Sequence, residues 1–142
     1  MSILEALLRP RRVVHAHCDL PCGIYDPTQA KIEAESVKAI QTRYQDPEKF
    51  KTKAETVDDY RARCLIIKEE RANLVKEHLW VLWTDYFKPE HLEKYPNLHE
   101  LFWKATKEAG LAKKSQDPQQ GQGLLDAIAE IDKIFWETKK AA

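Results

Sequence analysis

Apolar residues recur at helical spacing through most of the chain, and proline, glycine and short polar runs cut the recurrences into segments. After Asp26-Pro27, the residues Ala30, Glu33, Val37, Ile40 and Tyr44 share one helical face. Asp26 is placed to cap this helix and Pro27 to occupy its first position. Gln45-Asp46-Pro47 ends it, and the polar stretch 49–56 reads as a loop or a weak first turn. The longest pattern spans 57–86, with Val57, Tyr60, Cys64, Ile67, Arg71, Leu74, Val75, His78, Leu82 and Tyr86 on one broad face. Lys88-Pro89 breaks it, and Pro96 closes a short piece over 90–95. Leu98, Leu101, Phe102, Ala105 and Ala109 mark a third long helix, expected to stop at Gly110 and the Lys113-Lys114-Ser115 run. A loop is expected over 116–123, where Pro118, Gly121 and Gly123 cluster. The last helix carries Leu124, Leu125, Ile128, Ile131, Ile134 and Phe135 and ends in a basic tail. Long helices joined by short connections predict an all-α fold, a four-helix bundle over 27–138.

Two charges interrupt the apolar faces. Glu33 stands in the inward row of the first helix and Arg71 in that of the second. A lone buried carboxylate costs several kcal/mol, roughly, so an acid and a base on separate inward faces predict a pair; an arginine whose stem packs while its head reaches water is the other reading. Trp80, Trp83, Trp103 and Trp136 are many indoles for so small a core, which suits subunit contacts as well as an ordinary core.

Composition narrows the possibilities. At 142 residues the chain is long enough for one domain with a real core. Its 23 basic and 23 acidic residues cancel, so no global field favours nucleic acid or an anionic membrane, and any steering of a charged substrate is local. No apolar run is long enough to span a bilayer. Three cysteines make a poor disulfide framework. In residues 1–16 an apolar patch precedes Arg9, Arg11 and Arg12, the reverse of a secretory signal, so a cytoplasmic location is expected.

The chemistry is concentrated in His17-Cys18-Asp19-Leu20-Pro21-Cys22-Gly23-Ile24-Tyr25, which holds an imidazole, two thiols, a carboxylate and a phenol. A structural zinc site needs a second Cys/His pair, which the chain lacks. A thioredoxin-like dithiol prefers two intervening residues in a strand-rich fold, and here three intervene in a helical one. If the chain is cut between Ala16 and His17, the free amine, the Cys18 amide nitrogen and the Cys18 thiolate form two fused chelate rings, and Cys22 closes a planar N2S2 set. Such a set suits Ni(II) or Cu(II), with the His17 ring left as an axial ligand. A metal carrier, a redox dithiol and a redox metal centre are all compatible with these residues.

HCDLPCGIYDP, followed by QAKIEAESVKAIQ, IIKEERANL, VLWTDYFKP, HLEKYPNLH and EIDKIFWETKK, resembles the nickel superoxide dismutase family from residue 17 to the end. The resemblance implies a propeptide over 1–16 removed by a processing protease, a domain over 17–142 with its metal hook at 17–25, and a homohexamer of bundles. It implies one nickel ion per subunit held by His17, Cys18 and Cys22. It implies that Glu33 and Arg71 orient the axial imidazole, that Asp19 and Pro21 shape the hook, with Pro21 a candidate cis proline, and that Tyr25, Tyr86 and Lys88 control access of superoxide. The implied reaction is disproportionation to dioxygen and hydrogen peroxide by Ni(II)/Ni(III) cycling. One departure stands out: the connection over 49–61 is longer than the family's usual link.

Overall fold

The computed structural model describes residues 23–141. Its regular elements there are all helical: α1 Thr28–Gln45, α2 Pro47–Phe50, α3 Val57–Val81, α4 Pro89–Lys94, α5 Leu98–Lys114 and α6 Pro118–Ala141, with a π-helical turn, Leu82–Tyr86, continuing α3. The four long helices form a ring in which α1 packs on α3, α3 on α5, α5 on α6 and α6 on α1. Neighbours run antiparallel. Arg61 Nε reaches the Tyr44 carbonyl near one end of the α1–α3 pair while Arg71 meets Glu33 toward the other; Lys38 bonds Gln122 and Lys31 pairs with Asp132 across α1 and α6. The expected four-helix bundle is the observed fold. Among the described residues, no helix is long and apolar enough to cross a membrane.

Val37, Val75, Leu79, Leu98, Phe102, Leu124, Ile128, Ile131 and Phe135 fill the core with no exposed surface. Each fully buried phenylalanine or leucine contributes roughly 1.5–3 kcal/mol relative to exposure. The inward row of α1 is Ala30, Ala34, Val37 and Gln41, so Glu33, Ile40 and Tyr44 flank the core instead of entering it. Gln41 replaces them because its amide donates to the Ala112 and Ser115 carbonyls, 3.1 Å each, at the last turn of α5. In α3, Lys68 is buried where a pattern of apolar positions places nothing charged, and Ile67 faces outward. The Lys68 ammonium donates to the Ser115 carbonyl, so an inward lysine and an inward glutamine together cap the negative end of α5. Burial holds the Lys68 ammonium below its ordinary pKa.

Helix ends depart from expectation where glycine was read as a breaker. Helix α5 runs through Gly110 to Lys114, and α6 begins at Pro118 and runs through Gly121 and Gly123. Asp117 Oδ1 accepts from the Gln119 amide at 2.9 Å and starts α6, with Pro118 in the first turn. Gly121 is there for a close approach: a Cβ on it would lie 2.8 Å from Lys38 Cα of α1. Gly121→Ala is therefore expected to destabilise the bundle by about 1–3 kcal/mol through overpacking, despite alanine's better helix propensity. Denaturant titration checks this; a stabilised variant would contradict the crossing geometry. At the other end, Asp26 Oδ1 accepts from the Thr28 amide at 2.8 Å, and Pro27 sits one position outside α1, not at its first residue.

Of the indoles, Trp83 is half-buried and stacks on Phe102, centroids 5.8 Å apart. Trp80, Trp103 and Trp136 are exposed. The α3 pattern read as one helix to residue 86 ends instead in the π-helical turn, closed by the Phe87 amide on the Leu82 carbonyl at 3.1 Å. Such wide turns re-aim the side chains they carry and recur at functional sites. This one carries Trp83 and Tyr86.

Candidate functional site

Aromatic rings crowd one end of the bundle. At the aromatic end the start of α1, the π-helical turn, α4 and the last turns of α6 converge, and residues 23–25 enter there. Gly23 has φ +67, a left-handed conformation that favours glycine. Its carbonyl accepts a 3.0 Å hydrogen bond from Lys139 Nζ of α6. Ile24 is 80% exposed, whereas Tyr25 is half-buried and packs against the core. The Tyr25 ring lies 5.6 Å from that of Tyr86, tilted by 54°.

Tyr86 is set in a frame of rings: Phe135 at 4.4 Å, Phe87 at 4.9 Å and His91, stacked, at 5.7 Å. Its hydroxyl is 2.7 Å from Thr138 Oγ1, and the Thr138 hydroxyl in turn donates to the Phe135 carbonyl. Because the threonine proton is spent on that carbonyl, the phenol is the donor in the first bond. Tyr86 thus commits its proton inward and serves as the surface on which Tyr25 rests. The Lys139 ammonium sits 5.3 Å above the Tyr86 ring centroid and 5.8 Å from that of Phe135. Lys88 is exposed just before α4, where its amide donates to His91 Nδ1 at 3.1 Å.

Glu33 and Arg71 are brought together as expected, Arg71 Nη1 lying 3.2 and 3.3 Å from the two carboxylate oxygens. Glu33 is 15% exposed at its side chain and Arg71 31%, and Arg71 also bonds Glu70 at 2.9 Å. The pair sits on the outer side of the α1–α3 seam, beside an open groove of about 540 Å³ lined by Ser36, Ile40, Tyr60, Cys64 and Ile67. Glu33 is five residues past Thr28, roughly 7.5 Å along the axis.

His17, Cys18, Asp19, Pro21 and Cys22 lie outside the described residues. Among the described residues no cluster of His, Cys, Asp or Glu is arranged to hold a metal, and Cys64 is a buried free thiol. In the sequence, the soft donors are concentrated in the segment 17–22, which holds two thiols and an imidazole. Sequence reasoning missed Lys139, Thr138 and His91, and placed Phe135 only in the apolar stripe of the last helix. The one available signal was the basic tail, and it was absorbed by the ordinary preference of cations for helix C-termini.

The profile of the nickel-containing superoxide dismutase family matches residues 12–139. A nickel superoxide dismutase of Streptomyces seoulensis is 56% identical and one of Streptomyces coelicolor 55% identical, each over 98% of this chain and 100% of its own length. A solved nickel-containing superoxide dismutase, with nickel ligation corresponding to the oxidised state, is 57% identical, covers 87% of this chain and 99% of its own, and superposes with a TM-score of 0.78.

Proposed function

The chain belongs to the nickel-containing superoxide dismutase family, and on that premise we propose how its own residues serve the dismutation of superoxide. The intact donor set His17, Cys18 and Cys22, on a chain matched over 12–139, carries this reading. Bound to that set, nickel supplies a one-electron couple that oxidises one superoxide to dioxygen and reduces a second, with two protons, to hydrogen peroxide.

Cleavage before His17 frees the amine, which joins the Cys18 amide nitrogen and the thiolates of Cys18 and Cys22 as donors. Glu33, held by Arg71, accepts a hydrogen bond from the His17 ring and fixes its orientation, the usual arrangement for a ligating imidazole. Asp19 and Pro21 shape the hook between the thiols. Tyr25, three residues after Cys22, orders water and anion in front of the metal, and Tyr86 supports it from behind. Lys88 and Lys139 place positive charge at this rim of a chain with zero net charge, so attraction of superoxide is local and weakens with salt.

The proposed assembly is a homohexamer. Ile32 on α1, Leu65 and Ile66 on α3, and the exposed indoles Trp80, Trp103 and Trp136 are apolar area that a second copy would cover. The proposed compartment is the cytoplasm, whose reducing conditions keep the two hook thiols free. Stopped-flow decay of superoxide by the trimmed, nickel-loaded chain tests the activity. Many turnovers per nickel are expected, whereas consumption of a single equivalent would mark a carrier.

A further inference from the structure

Between Cys22 and the packed ring of Tyr25, two residues join the hook to the bundle, and neither is held by apolar burial. Gly23 has no side chain, its turn is left-handed, and Ile24 projects into solvent. The contact that fixes this junction is made by Lys139. Its ammonium donates to the Gly23 carbonyl at 3.0 Å while lying over the rings of Tyr86 and Phe135, 5.3 and 5.8 Å from their centroids. It does so from the last turns of α6, where the negative end of the helix favours a cation. One charged group is therefore bound by a carbonyl, two ring faces and a helix end, and the carbonyl belongs to the residue bonded to Cys22.

We propose that Lys139 is a positioning residue: it clamps the Gly23 carbonyl against the Tyr86–Phe135 surface, and so fixes the direction in which the Cys22 end of the hook leaves the bundle. The nickel part of this assignment rests on the functional reading above; the clamp itself does not. A hook whose end is held presents its thiolate without first being ordered, and preorganisation of this kind slows release of the metal.

The experiment uses the chain beginning at His17, with Lys139→Met, Lys139→Arg and, as a charge-matched control, the exposed neighbour Lys140→Met. In the nickel-free state, 15N relaxation of Ile24 is expected to report an order parameter near the rigid-backbone value of about 0.85 in the parent. It is expected to fall below about 0.6 in Lys139→Met, and to return in Lys139→Arg. Lys140→Met is expected to match the parent. In the nickel-loaded state, release to a chelator is expected to be about tenfold faster for Lys139→Met and near the parent rate for Lys139→Arg. An Ile24 equally ordered, or equally disordered, in the parent and Lys139→Met overturns the clamp, as does an equal loss in Lys140→Met. Loss of order without faster nickel release overturns the assignment to the hook. A parent chain that binds no nickel overturns the functional reading and leaves Ile24 to decide the clamp.

Discussion

Replacing either Cys18 or Cys22 by serine is expected to lower superoxide turnover by more than about 100-fold, since loss of a ligand exceeds the 10–100-fold effect of removing a ligand's hydrogen-bond partner. In the proposed site the thiolate is the donor, and a serine hydroxyl stays protonated near neutral pH, so it cannot supply the anionic sulfur that makes a one-electron couple accessible. The described core is built by Val37, Leu79, Phe102, Ile128 and Phe135 between four helices, all of them C-terminal to the hook in the chain. The thermal midpoint of the nickel-free bundle is therefore expected to stay within a few degrees of the parent, about the shift that 1 kcal/mol causes. Superoxide decay and a thermal scan on the same preparations check both halves. A variant that keeps the parent's turnover would remove that thiol from the centre.

Glu33→Ala is expected to lower turnover by about 10–100-fold while reducing nickel uptake much less. In the proposed site the carboxylate holds the His17 imidazole, the axial donor, whereas the planar donors do not pass through Glu33. Arg71 keeps a partner in the variant, because Glu70 already bonds it at 2.9 Å. Turnover per bound nickel is the deciding quantity. Equal losses of turnover and nickel content would give Glu33 a structural role instead.

The local chemistry of the site was legible because it is contiguous. An imidazole, two thiols and a phenol within nine residues need no fold to be noticed, and Glu33 and Arg71 were conspicuous as charges among apolar positions. The bundle was legible from periodicity in the last two long helices, whose apolar stripes face the core, and least in α3, where Lys68 is buried and Leu65, Ile66 and Ile67 are exposed. What escaped depends on neighbours distant in sequence. Gly121 looks like a helix breaker until Lys38 of α1 is placed against it. Lys68 and Gln41 look like surface residues until the open carbonyls at the end of α5 are placed beside them. Lys139 looks like one more cation in a basic tail until the Gly23 carbonyl, 116 residues away in the chain, is placed within its reach. The π-helical turn leaves no mark in the apolar pattern, because Leu82 at its start is buried, as a continuing α-helix would also have it.

In the proposed centre the nickel depends on a free amine at His17, and one extra residue would remove it. Two chains, one beginning at His17 and one retaining Ala16 in front of it, are to be incubated with nickel, analysed for metal and mixed with superoxide in a stopped-flow instrument. The expected result is one nickel per chain and rapid catalytic decay of superoxide for the first, with turnover at background for the second, whose amine has become an amide. Equal catalytic decay by both chains would contradict coordination through the His17 amine.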